Sequence, residues 1–479
     1  MWAVRGGSLR SIGWWVVVTN LTAELEQVVR KAQKVRRRLG QVRDQVVRDI
    51  YRRAQEITEQ AVRIHRAKGD LDRKIDNIVT SRILGYPLML ALLSLVFWLT
   101  ISGANLPSAI LAEVLFGFQD RLTALCQWLG APTWLHGVLV LGLYRGLAWV
   151  VSVMLPPMAI FFPLFTFLED LGYLPRVAFN LDKLFKEAGA HGKQVLTMCM
   201  GFGCNAAGVI ACRIIESPRE RLIAILTNNF VPCNGRFPTL IAMAAVLMGA
   251  FVSGYNSLAV AAIVAGVVVF GILVTLLVSW ALSKTLLKGI PSTFTLELPP
   301  YRLPKIGSLL IRSVLDRTLF VLTRAVAVAA PAGAVTWALA NIYIGDISLI
   351  GHLAGWLQGF GHLIGLDGFI ILAFILGLPA NEIVVPILIM SYLSHGSMLE
   401  LDSIAALRQL LISNGWTWLT TLNMMLFSLL HFPCATTLLT IRKETGSAKW
   451  TVLAALIPTG VAIAVCFLVT QIARAFGLV

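Results

Sequence analysis

The sequence predicts an all-α polytopic membrane protein with about seven to nine transmembrane segments. Hydrophobic residues make up 57% of the chain and charged residues only 14%, against about 25% charged residues in a soluble domain. Apolar runs recur at the length of about 20 residues that a helix needs to cross a bilayer. Several runs are broken by glycine, proline and polar residues, and such breaks are tolerated at membrane depth only where protein or a water-filled cavity satisfies the freed backbone groups.

Residues 1–83 form a basic segment before the first apolar run. They contain 18 Lys and Arg against 9 Asp and Glu, a balance of +9. Apolar residues at three- and four-residue spacing over 20–80 predict helix. The positive-inside rule then predicts a cytoplasmic helical arm, which is either a solvated arm or a docking site for a cytoplasmic partner. This explanation is simpler than nucleic-acid binding, and we expect no nucleic-acid partner.

The first apolar run predicts a transmembrane segment over 84–104. Residues 105–135 are mixed in character and predict short interfacial helices on the far side of the membrane. A long run over 137–168 then returns, and Pro156-Pro157 predicts an interruption within it. The loop 169–193 is basic, as a cytoplasmic loop should be.

The next segment, 194–212, has basic residues on both flanks, so both of its ends are expected on the cytoplasmic side. It therefore predicts a re-entrant hairpin with Gly203-Cys204-Asn205 at its tip. The run 221–249 is long enough to cross the bilayer, but Pro232-Cys233-Asn234-Gly235 breaks it. A further segment over 256–282 leads back to a basic loop.

The second half repeats this scheme from the opposite face. Residues 369–393 predict a second hairpin, broken at Gly377-Leu-Pro379, and Phe432-Pro-Cys434 breaks a later run. The transmembrane segments predicted for this half are 318–343, 415–441 and 449–474.

A hairpin followed by a broken helix thus occurs twice, in opposite orientations. Inverted repeats that meet at broken helices are the recurrent design of alternating-access transporters, with the substrate site at their interface. We divide the chain into the arm 1–83, a first membrane half 84–282, a cytoplasmic loop 283–317 and a second membrane half 318–479.

A site built from these breaks would combine thiols, one carboxylate and amide oxygens. Such donors suit a borderline transition-metal dication, whereas magnesium and calcium prefer oxygen ligands alone. Each cysteine has an alternative as a buried packing residue, and the carboxylate has an alternative as the ion-pair partner of Arg236. The candidate metal ligands are Cys204, Asn205, Cys233, Asn234, Glu382 and Cys434.

Ordered motifs across residues 70–479 resemble the membrane domain of FeoB-type ferrous iron transporters. The resemblance implies two Gate modules around an Fe²⁺ path lined by Cys204, Cys233 and Cys434, with Fe²⁺ as substrate and no permanently bound cofactor. The motifs are Glu169-Asp-Leu-Gly-Tyr173, His191-Gly-Lys193, Gly201-Phe-Gly-Cys-Asn205, Glu216-Ser-Pro-Arg-Glu-Arg221, Gly377-Leu-Pro-Ala-Asn-Glu382, Phe432-Pro-Cys434 and Arg442-Lys-Glu-Thr-Gly446.

The sequence departs from this family in two respects. It contains no Gly-x-x-x-x-Gly-Lys-[Ser/Thr] phosphate loop, although family members usually begin with a GTP-binding domain. We therefore expect a transporter without its own nucleotide-binding loop, not an enzyme, with a separate GTP-binding protein at the N-terminal arm. The segments Cys204-Asn-Ala-Ala207 and Pro232-Cys-Asn-Gly-Arg-Phe-Pro238 keep the family's cysteines but change their neighbours, so Mn²⁺ or another divalent metal stays open.

Two alternatives differ in class from a metal transporter. Gate modules resemble parts of nucleoside carriers, so a transporter of nucleosides or another small solute is one alternative. A non-transporting membrane scaffold is the other. For all three we expect a multi-pass protein of the cell membrane with a cytoplasmic N-terminus.

Overall fold

The computed structural model describes residues 31, 45–58, 60–61, 69–81, 83–251, 257–289, 301–302, 304–394, 396–398 and 404–477. The chain divides into two compact units, Met1–Leu71 and Asp72–Val479. Within the first unit, residues 45–58, 60 and 61 are helical, as the periodicity predicts. Most other residues of the predicted arm lie outside the described part of the chain, and the domain boundaries stay a prediction.

The second unit is built almost entirely from helices, and its first helix begins at Gly69, three residues before the boundary between the units. Its first part contains α1 (Gly69–Val79), α2 (Gly85–Trp128), α3 (Thr133–His136), a π-helical segment (Gly137–Tyr144), α4 (Arg145–Asp170), α5 (Tyr173–Glu187), α6 (Gln194–Gly203), α7 (Asn205–Ala211), α8 (Pro218–Thr227), α9 (Phe237–Phe251) and α10 (Ser257–Lys284). Short 3₁₀ turns cover Cys212–Ile214, Asn228–Phe230 and Asn234–Arg236.

The second part of this unit begins at Ile306. It contains α11 (Ile306–Ile311), a π-helical segment (Arg312–Leu319), α12 (Phe320–Asn341), an antiparallel strand pair β1 (Tyr343–Ile344) and β2 (Ile347–Ser348), α13 (Leu349–Leu363), α14 (Gly368–Leu376), a 3₁₀ turn (Asn381–Ile383), α15 (Val384–Tyr392), α16 (Ile404–Ser413), α17 (Trp418–Leu430), α18 (Ala435–Thr445) and α19 (Ala448–Ala475).

Among the described residues, seven helical stretches are long and apolar enough to cross a membrane. An eighth results if the bent pair α13 and α14, which meet at 111°, counts as one crossing. The predicted all-α polytopic fold and its number of transmembrane segments are therefore confirmed.

Two expectations about the first half are wrong. Residues 105–128 do not form separate interfacial helices, because α2 continues through Pro107 as one helix of 44 residues. Packing against the following π-helical segment and α4 stabilises this extension: the Tyr144 hydroxyl donates to the Leu115 carbonyl at 2.9 Å, and the Phe116 and Trp149 rings lie 6.1 Å apart. Local composition cannot reveal such tertiary support.

The proline pair in the next segment also leaves the helix intact. Pro156 and Pro157 both lie inside α4, which continues from Arg145 to Asp170. Membrane helices tolerate proline because neighbouring helices and local adjustments satisfy the freed backbone groups. The predicted interruption is therefore absent.

Both predicted hairpins are present, and their tips have the same backbone conformation. Cys204 is extended between α6 and α7, with φ −155° and ψ 127°. Ala380 is extended between α14 and the turn Asn381–Ile383, with φ −152° and ψ 123°. The next residue in each hairpin, Asn205 or Asn381, begins a new helical turn. The two tips therefore correspond as members of an internal repeat.

Both predicted broken helices are present as well. Between α8 and α9 the chain passes through two 3₁₀ turns separated by extended residues at Val231 and Cys233. Between α17 and α18 it is extended at His431 and Cys434. Each break leaves backbone carbonyls without helical partners inside the protein, and these groups need other donors.

Arg236 supplies those donors to both breaks. Its guanidinium is fully buried and donates to the Asn229 carbonyl at 2.9 Å and the Leu429 carbonyl at 2.7 Å. It also donates to the carbonyls of His431 and Phe432, both at 3.1 Å. One side chain thus joins the break of the first half to the break of the second.

The alternative in which Arg236 pairs with Glu382 is not what the structure shows. Within the described part of the chain, no ion pair within 4.0 Å joins the two side chains. The acceptors of Arg236 are the carbonyls and the Asn229 amide oxygen, at 3.3 Å. Glu382 therefore stays available for another role.

A second buried arginine anchors α1. The Arg176 side chain is 2% exposed and donates to both carboxylate oxygens of Asp76, at 3.0 and 3.3 Å. The Tyr301 hydroxyl donates to the same carboxylate at 2.9 Å. Burial disfavours the charged form of Asp76, but the hydrogen bonds from Arg176 and Tyr301 outweigh it and hold its pKa below the usual value. The cluster joins α1, α5 and the segment before α11.

We expect Arg236→Lys to lower the free energy of unfolding by about 2–4 kcal/mol. Lysine keeps the charge but lacks the planar fork with which Arg236 reaches carbonyls of both breaks at once, and each buried acceptor left without a donor costs about 1–3 kcal/mol. Arg221→Lys is the matched control, because Arg221 donates to one carbonyl, that of Ile215. Denaturant unfolding in detergent measures both, and equal losses would contradict the role of Arg236.

We expect Asp76→Asn to destabilise the second unit by about 1.5–3 kcal/mol, the usual contribution of hydrogen bonds to charged groups. Because the folded-state pKa of Asp76 is depressed, its contribution is present at neutral pH and is lost as the pH falls through that lowered value. Thermal unfolding against pH measures this. The control is Glu216→Gln, since Glu216 is 80% exposed beside Lys193; an equal effect of both variants would overturn the assignment.

Candidate functional site

The two hairpin tips and the two helix breaks surround one small cavity. Its volume is about 30 Å³, which is room for one or two water-sized guests. Residues from both halves of the repeat line it, so it lies where the inverted-repeat argument predicts a site. The lining residues are Met154, Gly203, Cys204, Asn205, Cys233, Gly235, Ala325, Pro379, Ala380, Asn381, Glu382, Cys434 and Thr436.

Five of the six predicted ligands line this cavity. Cys204 and Asn205 come from the first hairpin, Cys233 from the first helix break, Glu382 from the second hairpin and Cys434 from the second break. The sixth, Asn234, is half-buried and does not line it. Residues separated by more than 200 positions are therefore brought to one place.

Gly235 makes room for the carboxylate of Glu382. A Cβ atom built at Gly235 would lie 2.0 Å from Oε1 of Glu382 and 2.5 Å from its carboxyl carbon. Any side chain at position 235 would thus collide with the carboxylate. The bare backbone at the first helix break and the carboxylate of the second hairpin therefore fit together.

Hydrogen bonds between amides hold the first hairpin against the first helix break. Asn228 donates its side-chain N–H to the Asn205 carbonyl at 3.1 Å, and Asn205 donates to the Asn229 amide oxygen at 3.2 Å. Asn229 in turn donates to the His431 carbonyl of the second half at 2.6 Å. In the second half, the Ala435 N–H donates to the Leu378 carbonyl at 2.8 Å. Each hairpin is therefore fixed to the break beside it.

The cysteines at the cavity carry thiols, because none of the seven cysteines forms a disulfide bond. Cys434 Sγ lies within hydrogen-bonding distance of the Thr437 hydroxyl, at 3.2 Å. Across the described residues, no three His, Cys, Asp or Glu side chains are arranged to hold a metal ion. Thiols and a carboxylate therefore line the same cavity without forming a preformed metal centre in the described part of the chain.

Sequence reasoning missed two polar lining residues, Asn381 and Thr436. The repeat itself carried the signal, because Pro379-Ala-Asn381 corresponds to Gly203-Cys-Asn205 at the hairpin tips. Likewise, Pro433-Cys-Ala-Thr436 corresponds to Pro232-Cys-Asn-Gly235 at the breaks.

Comparisons with known proteins agree with this architecture. A family model described as Gate, nucleoside recognition, matches residues 151–247 and 322–448, and a model for the C terminus of ferrous iron transport protein B matches residues 264–316. The two Gate matches contain both hairpins and both broken helices. No solved structure matches the chain.

Several curated relatives extend over most of the chain. The Fe(2+) transporter FeoB of Staphylococcus aureus (strain MSSA476) is 29% identical over 476 residues, which cover 96% of this chain and 67% of the relative. The Fe(2+) transporter FeoB of Methanocaldococcus jannaschii is 26% identical over 91% of this chain and 64% of the relative. A Porphyromonas gingivalis relative, 28% identical over 85% of this chain and 52% of its own length, is named an Fe(2+) transport protein A/Fe(2+) transporter FeoB fusion protein.

The ordered motifs, the two Gate matches, the match to the C-terminal model and these relatives agree with one another. The chain is similar over most of its length to proteins named Fe(2+) transporter FeoB.

Proposed function

We propose that this protein carries Fe²⁺ across the membrane through the cavity between its two broken helices. One observation carries the proposal: Cys204, Cys233, Glu382 and Cys434, which belong to four different chain breaks, line a single cavity. Similarity over most of the chain to proteins named Fe(2+) transporter FeoB supports Fe²⁺ as the ion.

The donor set suits a borderline dication in transit. Thiolate sulfur favours transition metals over magnesium and calcium, and the Glu382 carboxylate balances part of the charge. A thiol must lose its proton to bind a metal, so binding releases protons and weakens as the pH falls. The buried charge of Arg236, three residues after Cys233, opposes tight capture of a cation.

A nucleoside transporter fits the cavity less well, although the matched Gate model is described as nucleoside recognition. Pockets for drug-sized organic ligands occupy about 300–1,000 Å³, whereas this cavity has about 30 Å³. A bare or partly hydrated ion fits this volume. A non-transporting scaffold would not need thiols and a carboxylate around one cavity.

We further propose a cytoplasmic N-terminus, a location in the cell membrane and a GTP-binding partner at the basic arm. The excess of Lys and Arg over residues 1–83 supports the orientation. One relative is named as a fusion of Fe(2+) transport protein A with FeoB, and this supports the existence of a partner protein for the present chain. Binding of a purified candidate GTPase to the chain, measured with and without the arm's basic residues changed to glutamine, tests the docking.

We expect the double variant Cys204→Ser/Cys233→Ser to reduce Fe²⁺ uptake into proteoliposomes by at least about tenfold, a difference of about 1.4 kcal/mol. Serine keeps the size of the side chain but is a poor ligand for a soft dication. Uptake of radiolabelled Fe²⁺, with and without a candidate GTPase, measures the change.

The matched control is Cys126→Ser/Cys466→Ser, which removes two thiols that do not line the cavity. This variant should transport at the wild-type rate. Equal uptake by the wild type and the Cys204/Cys233 variant would end the thiol-path proposal, and no uptake by the wild type with or without GTPase would end the transport proposal.

We expect Gly235→Ala to reduce Fe²⁺ uptake about tenfold, because the new methyl group occupies the position of the Glu382 carboxylate. Gly266→Ala in α10 is the control, since a Cβ there meets nothing within 4 Å. If Gly235→Ala folds and transports at the wild-type rate, the Glu382 carboxylate has no role in its observed position.

A further inference from the structure

Three buried oxygen atoms at the cavity have no hydrogen-bond partner: Oδ1 of Asn205, Oδ1 of Asn381 and Oγ1 of Thr436. The three residues are 3%, 6% and 3% exposed, and all three line the cavity. A buried acceptor without a donor is costly, and proteins rarely retain one without a reason. Here three such atoms from three chain segments converge on one space.

Their placement follows from the repeat. Asn205 and Asn381 each come directly after the extended residue at a hairpin tip, where the two backbones have nearly equal φ and ψ. Thr436 lies two residues after Cys434, in the first turn of α18. The same amide oxygen is thus supplied once by each half, and the second helix break adds a hydroxyl.

The charged and sulfur-bearing donors do not complete a coordination shell by themselves. In the part of the chain that the structure describes, no group of three His, Cys, Asp or Glu side chains is arranged to hold a metal. Further ligands to an ion here would be neutral groups: side-chain oxygens, the Met154 thioether or water. Among the side-chain oxygens and nitrogens of the lining, these three oxygens are buried and have no hydrogen-bond partner.

We propose that Asn381 and Thr436, together with Asn205, form an oxygen face that contacts the dication opposite the thiols and sets its selectivity. The inference rests on the proposed function for the identity of the ion. Amide and hydroxyl oxygens favour Fe²⁺ and Mn²⁺ relative to softer ions, whereas thiolates alone favour Zn²⁺ and Cd²⁺. The mixed lining therefore discriminates against the thiophilic ions that a site of cysteines alone would prefer.

Thr436→Val and Asn381→Leu test this directly. Valine replaces the hydroxyl of Thr436 by a methyl group of similar size, and the fold loses no hydrogen bond because that hydroxyl has no partner. The control is Thr421→Val, at an equally buried threonine whose hydroxyl donates to the Thr417 carbonyl. A thermal melt of each variant confirms that it is folded.

The deciding measurement is Co²⁺ binding to the purified chain, followed by its visible d–d bands, which report ligand type. We expect Thr436→Val and Asn381→Leu each to weaken Co²⁺ affinity about three- to tenfold and to change the band positions, with Thr421→Val unchanged. In proteoliposomes the ratio of Fe²⁺ to Cd²⁺ uptake should fall by a similar factor. Wild-type Co²⁺ affinity and bands in both cavity variants would overturn the proposal.

The two proposals fail in different ways. If the wild type binds Co²⁺ through these oxygens but takes up no Fe²⁺, the oxygen face stands as a metal site and the transport function falls. If the cysteine variants abolish uptake while Thr436→Val and Asn381→Leu bind Co²⁺ and transport as the wild type does, the thiol path stands and the oxygen face falls.

Discussion

The buried guanidinium of Arg236 is the interaction on which the rest of the site depends. Two interrupted helices expose carbonyl groups inside the protein, and each would be costly without a donor. Arg236 donates to carbonyls of both interruptions, and Asn229 adds a hydrogen bond from the first to the second. The two halves of the repeat are thereby held together at their breaks, which allows Cys233 and Cys434 to line the same cavity.

The same constraint explains why the cavity is polar on part of its wall. The hydrogen bonds made by Arg236 and by the amides of Asn228 and Asn229 satisfy the backbone around the breaks, but they leave the side-chain oxygens of Asn205, Asn381 and Thr436 unsatisfied. Backbone groups with hydrogen-bond partners and side-chain oxygens without them thus lie next to each other at the cavity. The ion path that we propose would need this combination, because a closed set of ligands would hold the ion too tightly.

Most of the fold could be predicted because its main determinants are local. Runs of apolar residues locate the transmembrane helices, and the breaks at Gly203-Cys-Asn205, Pro232-Cys-Asn-Gly235, Gly377-Leu-Pro379 and Phe432-Pro-Cys434 all appear where the sequence predicts them. The two errors share one cause. The mixed segment 105–128 continues α2, and Pro156 and Pro157 lie within α4, because packing between helices, which no local pattern records, stabilises both helices.

The sequence by itself determined the class of fold, the positions of the breaks and the residue types that could bind a metal, because helix periodicity, hydropathy and breaker residues act over short distances. Only the tertiary structure decided which breaks meet. It placed Asn381 and Thr436 beside Cys204 and Cys434, left Asn234 outside the lining, and directed Arg236 to carbonyls instead of Glu382. These outcomes depend on contacts between residues some 200 positions apart, which the chain order alone does not specify.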